Sequence, residues 1–133
     1  MFFISRNGDA IVLKDVRRQV VHRDAPLTAT LKALMAGPTA AEQKESLISL
    51  IPVKSRLQDV NVRGDTAYIS FSEEFRFNDY GVPGLQAQVR QIVYTATEFS
   101  NIKRVQLLIN GKKVSNLAQE GVFIGEPLSR TSF

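Results

Sequence analysis

The side chains that could carry out nucleophilic or metal chemistry are few, and their spacing matches no catalytic pattern. The sequence contains no cysteine and one histidine, His22. Thiol nucleophiles, thiolate metal sites and paired-histidine metal sites are therefore excluded, and no metal or cofactor is expected. His22 and Asp24 can be written as two members of a catalytic triad, but no Gly-x-Ser-x-Gly motif accompanies them. We interpret His22 as a surface residue beside the start of a helix.

Carboxylates are the next candidates for acid–base chemistry. Glu73 and Glu74 are adjacent, and adjacent residues of a strand point to opposite faces of a sheet. They are therefore not expected to converge as an acid/base pair. An enzyme would require Asp65, Glu73 or Asp79 to meet in a closed pocket, so the sequence predicts no catalytic residue.

Two glycine motifs are better explained by backbone geometry than by binding. Gly81 and Gly84 precede the longest helical pattern, where backbone N–H groups can bind an anion, but no Lys, Arg, Ser or Thr lies between them. We interpret them as the turn that opens the helix. Arg63-Gly64-Asp65 spells an adhesion tripeptide but stands where a hairpin needs its turn.

Basic residues give the strongest remaining binding signal. The 17 Lys and Arg residues exceed the 13 Asp and Glu residues, which gives a net charge of +4. The candidate interaction surface consists of three clusters: Arg17, Arg18 and Arg23; Lys103 and Arg104; Lys112 and Lys113. They would share a face if the first hairpin lay beside the last strands. Aromatic residues do not alternate with them, so nucleic acid is not expected, whereas an acidic polymer such as peptidoglycan stays possible.

Length and composition indicate one globular domain. The chain has 133 residues, of which 44% are hydrophobic and 23% charged. No stretch approaches the roughly 18 apolar residues of a membrane span. Residues 1–4 are too short for a signal-peptide core, and we expect any membrane anchor to lie upstream in a longer parent protein.

The first half of the chain predicts a hairpin followed by two helices. Residues 2–5 and 10–21 form strands around the turn Asn7-Gly8-Asp9. A helix over residues 26–36 follows, with Asp24 as a possible cap, and Gly37-Pro38 ends it. The pattern Thr39-x-x-Glu42 predicts a second, short helix, whose apolar exit is residues 47–51.

The second half predicts a hairpin, a long helix and a strand. Alternating apolar residues indicate strands over 57–62 and 66–72. A stripe at helical spacing indicates a helix over 85–99. A strand over 105–109 reaches the turn Asn110-Gly111, followed by a return strand and a short strand at 122–124. The expected fold class is α+β: a two-layer sandwich with helices packed on one face of a mixed or antiparallel sheet, and an N-terminal hairpin.

Four segments, taken in order, resemble one domain family. Residues 31–39 read LKALMAGPT, and residues 51–52, Ile-Pro, precede a hairpin over 57–75. Residues 91–99 read QIVYTATEF, and residues 105–113 read VQLLINGKK. Together they resemble the GerMN, or sporulation and spore germination, domain over residues 3–121. The positions that match the family's motifs are Gly37, Pro38, Pro52, Gly64, Phe71, Tyr94, Phe99 and Gly111.

The resemblance implies a role in the bacterial cell envelope. GerMN domains occur in lipoproteins or membrane-anchored proteins outside the cytoplasmic membrane, and some take part in endospore formation. Their fold is similar to ring-building motifs, which assemble laterally, and the family has no established catalytic set. The resemblance therefore implies that residues 1–133 are a single domain of a longer anchored protein, with self-association or other envelope proteins as partners. The present sequence differs from many family members at Val53-Lys54, where those members carry Pro-Gly.

Three functions follow as hypotheses. The first is a non-catalytic extracytoplasmic domain for protein interaction and assembly. The second is a module that binds peptidoglycan or another polyanion through the basic clusters, with binding that falls steeply as salt rises. The third is an enzyme, which the missing nucleophile–base pair and the missing metal ligands disfavour.

Overall fold

Nine helices and strands make up the described part of the chain. The structure, a computed structural model, describes residues 1–8, 10–18, 25–118 and 122–133. The elements are β1 (Phe2–Asn7), β2 (Ala10–Asp15), α1 (Pro26–Met35), α2 (Ala40–Lys44), β3 (Leu47–Ile48), β4 (Leu57–Arg63), β5 (Thr66–Phe71), α3 (Gly81–Ala96) and β6 (Arg104–Ile109). Single 3₁₀ turns lie at Glu73–Arg76 and Arg130–Ser132. Within the described ranges no helix has both the length and the apolar character of a membrane span.

The strands divide between two three-stranded sheets. The first has the order β2-β1-β3 and is antiparallel throughout. The second has the order β4-β5-β6, in which β4 and β5 are antiparallel and β6 runs parallel to β5. The parallel pairing arises because α3 carries the chain back to the start of β5 before β6 begins. The predicted α+β class and the N-terminal hairpin are confirmed, with two sheets where one was expected.

One apolar core joins both sheets and both long helices. The sheet face formed by Ala67, Ile69 and Phe71 is fully buried, as the alternation in β5 predicts. The helices contribute the predicted stripes, in α1 Leu27, Leu31 and Leu34 and in α3 Leu85, Val89, Ile92 and Ala96. Phe3 of β1 belongs to the same cluster, so the first sheet is packed onto the core and does not form a separate unit.

Local sequence signals explain several ends and turns. Thr39 and Glu42 form the predicted capping box: the Thr39 amide donates to the Glu42 carboxylate at 2.9 Å, and the Glu42 amide donates to Thr39 Oγ1 at 3.2 Å. Gly37 follows α1 with a φ of +87°, a left-handed conformation that glycine adopts without steric cost. The Asn110-Gly111 turn likewise has φ values of +51° and +77°.

The structure corrects several predicted element bounds. Residues 47–51 do not extend α2; Leu47 and Ile48 form β3 against β1. The long helix begins four residues early, at Gly81, and ends at Ala96, so Phe99 packs on the core from beyond its end. The return after Gly111 and the strand at 122–124 are reduced to the single bridges Ile109↔Lys112 and Asn116↔Phe123. Strand β2 ends at Asp15, and residues 19–21 of the predicted strand lie outside the described residues.

Candidate interaction surface

The carboxylates that an enzyme would need do not line one pocket: Asp79 lines a groove whose lining includes neither Asp65 nor Glu73. Asp65 lies in the β4–β5 turn and Glu73 follows the opposite end of β5, a strand about 17 Å long. Asp65 lies 3.6 Å from Arg104, and Glu73 lies 3.7 Å from Arg76. Among the described residues, no three acidic or histidine side chains group as a metal site would require. His22 and Asp24 lie outside the described residues.

Arg18, one of the predicted interaction residues, is committed to internal contacts. Its guanidinium donates to both oxygens of Glu42, at 2.9 Å and 2.5 Å, and to the Gly37 carbonyl at 3.2 Å. It also lies over the Phe3 ring, 5.2 Å from the centroid. The hydrogen bond from Arg18 lowers the pKa of Glu42 below its usual value, more strongly than partial burial raises it. The Arg18–Glu42 pair therefore fastens the segment after β2 to α2.

The other basic clusters lie at separate places. Arg17 is exposed, 3.7 Å from Asp15, and Arg23 lies outside the described residues. Lys103 and Arg104 lie at the start of β6, whereas the two exposed lysines Lys112 and Lys113 follow its other end, about 17 Å or more away. These two clusters therefore lie at opposite ends of one strand.

A cleft of about 550 Å³ separates the end of β2 from the C-terminal end of α3. Arg17, Arg18, Arg130, Asp15 and Glu98 contribute to its lining. Burial is the largest effect on Glu98 and raises its pKa, although the amino group of Met1, which donates to its carboxylate, opposes this. The cleft thus contains charges of both signs, and its Asp15 lies 3.7 Å from both Arg17 and the Met1 amino group.

A more apolar groove lies where residues 49–53 meet residues 77–80. It encloses about 220 Å³, and the buried side chains of Leu50 and Ile51 form part of its lining. Three large apolar side chains on its lining are exposed: Val53 (97%), Phe77 (64%) and Tyr80 (57%). Large apolar side chains that stay exposed together are typical of surfaces that bind a partner.

Asn78 builds this groove by joining its two segments. Its side-chain amide donates to the Leu50 carbonyl at 2.8 Å and to Gln88 Oε1 at 2.9 Å. Its Oδ1 accepts from the Tyr80 amide at 2.9 Å. A Cβ at Gly84 would lie 2.1 Å from Asn78 Oδ1, so glycine is required there. Gly81, with φ at +66°, opens α3 as predicted, whereas Gly84 lies inside the first turn of α3, where it allows the close approach of Asn78.

Buried polar residues on α3 were not predicted from the sequence. Gln88, Gln91 and Thr95 are fully buried at intervals of three and four residues. Gln91 Oε1 accepts from the Leu50 amide at 2.8 Å, and its Nε2 donates to the Phe2 carbonyl at 3.2 Å. Thr95 Oγ1 accepts from the Phe2 amide at 3.0 Å. The spacing of these three residues along the helix is the one signal in the sequence that could have indicated them. Polar residues at that spacing usually form the solvent-exposed face of a helix, so the spacing alone does not predict burial.

The aromatic and proline residues at the family-motif positions pack or form hydrogen bonds within the domain. Phe71 stacks on Phe75 with ring centroids 4.2 Å apart, and Tyr94 meets Phe2 edge-on at 5.4 Å. Arg130, from the C-terminal turn, lies over Tyr94 at 4.8 Å and donates to Thr97 Oγ1 at 2.8 Å. The Pro52 carbonyl accepts from the Ser55 amide at 2.9 Å, and the Pro38 carbonyl accepts from Gln43 Nε2 at 3.2 Å. Gly64 turns the β4–β5 hairpin with φ at +59°.

These features define an α+β domain of two small sheets around one long helix, with an apolar groove on its surface. The chain belongs to the Germane family, described as "Sporulation and spore germination", whose profile matches residues 1–115. It is 30% identical, over 98 residues, to "Spore germination protein GerM" of Bacillus subtilis (strain 168). That match covers 73% of this chain and 26% of the relative, so the chain spans about a quarter of that protein.

Solved structures share the fold. The tandem GerMN domains of the sporulation protein GerM from Bacillus subtilis match with a TM-score of 0.77 and 20% identity, over 97% of this chain and 44% of that one. The first GerMN domain of the same protein matches at 0.68 and 24%, over 91% and 89%. A Clostridium perfringens protein designated "Putative Lipoprotein" matches at 0.72 and 22%, over 99% and 86%. The resemblance found in the sequence is thereby confirmed.

Proposed function

We propose that this chain is a non-catalytic protein-interaction domain that acts outside the cytoplasmic membrane in a bacterial cell envelope. The observation that carries the proposal is the clustering of Val53, Phe77 and Tyr80 at one groove, where water contacts large apolar side chains. Covering such side chains removes apolar surface from water, which favours association by about 25 cal/mol per Å² before association costs. Binding of a partner protein is the function that this geometry supports best, with the groove as its first candidate surface.

Family and relatives support the cellular setting of the proposal. Membership of the sporulation and germination family fits a role in an envelope assembly. The name of the Clostridium perfringens relative fits a parent protein held at a membrane by an anchor. In this proposal the partner is another envelope protein or a second copy of the chain. The basic clusters support polyanion binding less well, because Arg18 is bound to Glu42 and the β6 clusters lie apart.

In-cell photo-crosslinking tests the proposal. p-Benzoylphenylalanine is placed, one position at a time, at four exposed apolar sites of the parent protein: Val12, Val53, Val62 and Phe77. Exposed Lys113 gives a matched polar position. Protein adducts from at least one apolar site, identified by mass spectrometry and absent from position 113, are the expected result. No protein adduct from any of the four sites would overturn the proposal. Protease treatment of intact cells stripped of their walls checks the location, and full protection of the domain would contradict it.

A further inference from the structure

We propose that the groove between residues 49–53 and 77–80 binds a partner segment in which a large apolar side chain is followed or preceded by a lysine or arginine. The inference rests on the proposed function and names the chemistry of its partner. The apolar side chain fills the groove beside Phe77 and Tyr80. The basic side chain reaches the carboxylate of Asp79 at the same groove.

The size of the groove suits a single side chain. Pockets for drug-sized ligands span about 300–1,000 Å³, whereas this groove encloses about 220 Å³. Val53 and Phe77 are exposed beside it, so a bound segment would cover them as it fills the groove. Interfaces concentrate binding energy where an anchor enters a pocket ringed by contacts that exclude water. The groove has the form of such a pocket.

The polar groups of the groove favour a peptide over a sugar. A saccharide presents several hydroxyl groups, each of which loses a hydrogen bond to water on binding and needs a partner in the site. Asn78 is already bonded to Leu50, Gln88 and Tyr80, so its amide is not available. The Asp79 carboxylate and the Tyr80 hydroxyl remain as side-chain partners, because the Ser49 hydroxyl on the same lining already accepts from the Ile51 amide and from Gln91. These suffice for one cationic group but not for a sugar ring.

The charge at the groove indicates the sign of the partner. Asp79 is exposed, and no cationic side chain lies within ion-pair distance of it in the described part of the chain. The nearby guanidinium of Arg6 instead lies over the Tyr80 ring, 6.0 Å from its centroid. Asp79 also lies two residues before α3, where the helix dipole favours negative charge. The stability of each Asp79 variant is therefore measured together with its binding.

Selection of peptides against charge variants tests the inference. A library of random 12-residue peptides on phage is selected against the full chain and against Asp79→Lys. Peptides selected on the wild type should share a Leu, Ile, Met or aromatic residue next to Lys or Arg. Peptides selected on Asp79→Lys should keep the apolar residue but exchange the basic neighbour for Asp or Glu. Selected peptides without a basic preference, or no selection above background, would overturn the inference.

Affinity measurements on the best selected peptide locate the site. Phe77→Ala should weaken binding about 10-fold, as truncation of an interface anchor does. Phe123→Ala, at another exposed phenylalanine outside the groove, should leave binding unchanged. Asp79→Asn should weaken binding and flatten its salt dependence, with an unfolding midpoint close to that of the wild type. Equal affinity of wild type and Phe77→Ala would overturn the inference. Crosslinks from Val12 or Val62 alone would overturn it too, while leaving the proposed function in place.

Discussion

Single buried polar side chains hold the N-terminal sheet and the groove in place. Gln91 bonds to the backbone of both Phe2 and Leu50, so one side chain of α3 joins β1 to the segment that lines the groove. A buried N–H that loses its acceptor retains the full cost of its desolvation. Gln91 therefore acts as a structural residue.

Gln91→Met removes the three hydrogen bonds of this side chain, to Leu50, Phe2 and Ser49, while nearly preserving its volume. We expect the free energy of unfolding to fall by about 1–3 kcal/mol, because the buried Leu50 amide is left without a partner. Urea unfolding followed by circular dichroism measures this change. Gln86→Met is the matched control, since Gln86 is an exposed residue of the same helix and should change stability by less than about 0.5 kcal/mol. Equal effects of the two substitutions would contradict the role given to Gln91.

The Arg18–Glu42 pair makes stability depend on pH. Because the folded-state pKa of Glu42 is lowered, the pair's contribution is present above the unfolded value of about 4.5 and is lost as pH falls through the folded-state pKa. The two side chains are 17% and 13% exposed, so solvent screens them weakly. Glu42→Gln should lower the free energy of unfolding at pH 7 by about 1–3 kcal/mol. The loss should shrink below pH 4.5.

The exposed Asp65–Arg104 pair provides the comparison for this prediction. Both side chains are about half exposed, 48% and 56%, and surface pairs contribute about 0–1 kcal/mol. Asp65→Asn should therefore change stability little at any pH. Urea midpoints of the three proteins between pH 3 and 8 check the prediction. A Glu42→Gln loss that stayed constant down to pH 3 would show that the charge of Glu42 is not its source.

At the scale of elements, the sequence predicts best what is fixed by neighbours along the chain. The β4–β5 hairpin and the Thr39 capping box were located to within a residue, because alternation and capping depend on local spacing. Strand β3 was missed because two residues are too short to show a period. The start of α3 was missed because residues 81–84 contain two glycines and a proline, which usually interrupt helices.

Contacts between distant elements explain why the groove was not predicted. Val53, Phe77 and Tyr80 are single apolar residues in loops, and isolated residues of that kind carry no periodic signal. They become neighbours only because Asn78 reaches Leu50, 28 positions away in sequence. The basic clusters show the converse: they are visible in sequence, but the fold separates the two on β6 and commits Arg18 to Glu42.

At the scale of the whole molecule, the two sheets share one core and should unfold together. Phe3 of the first sheet and Ile69 of the second belong to one buried cluster around α3. Phe3→Leu and Ile69→Val are mild substitutions, each expected to cost about 0.5–1.5 kcal/mol. A smaller second cluster, which contains Ile4 of the first sheet, also packs on α3 through Ala87. Because both clusters include residues of α3, each substitution should lower the stability of both sheets by the same amount.

Native-state hydrogen exchange distinguishes shared from separate unfolding. The slowest amides of β1 and β5 should lose equal protection in Phe3→Leu, and again in Ile69→Val. If Phe3→Leu weakened protection in β1 alone, the N-terminal sheet would be a unit that opens independently. The groove lies between these parts, since α3 holds residues 49–50 through Gln91 and residue 75 through Gln88. If the domain unfolds cooperatively, the groove is already formed whenever the domain is folded. A preformed groove binds a partner's side chain without a further cost of ordering its own residues.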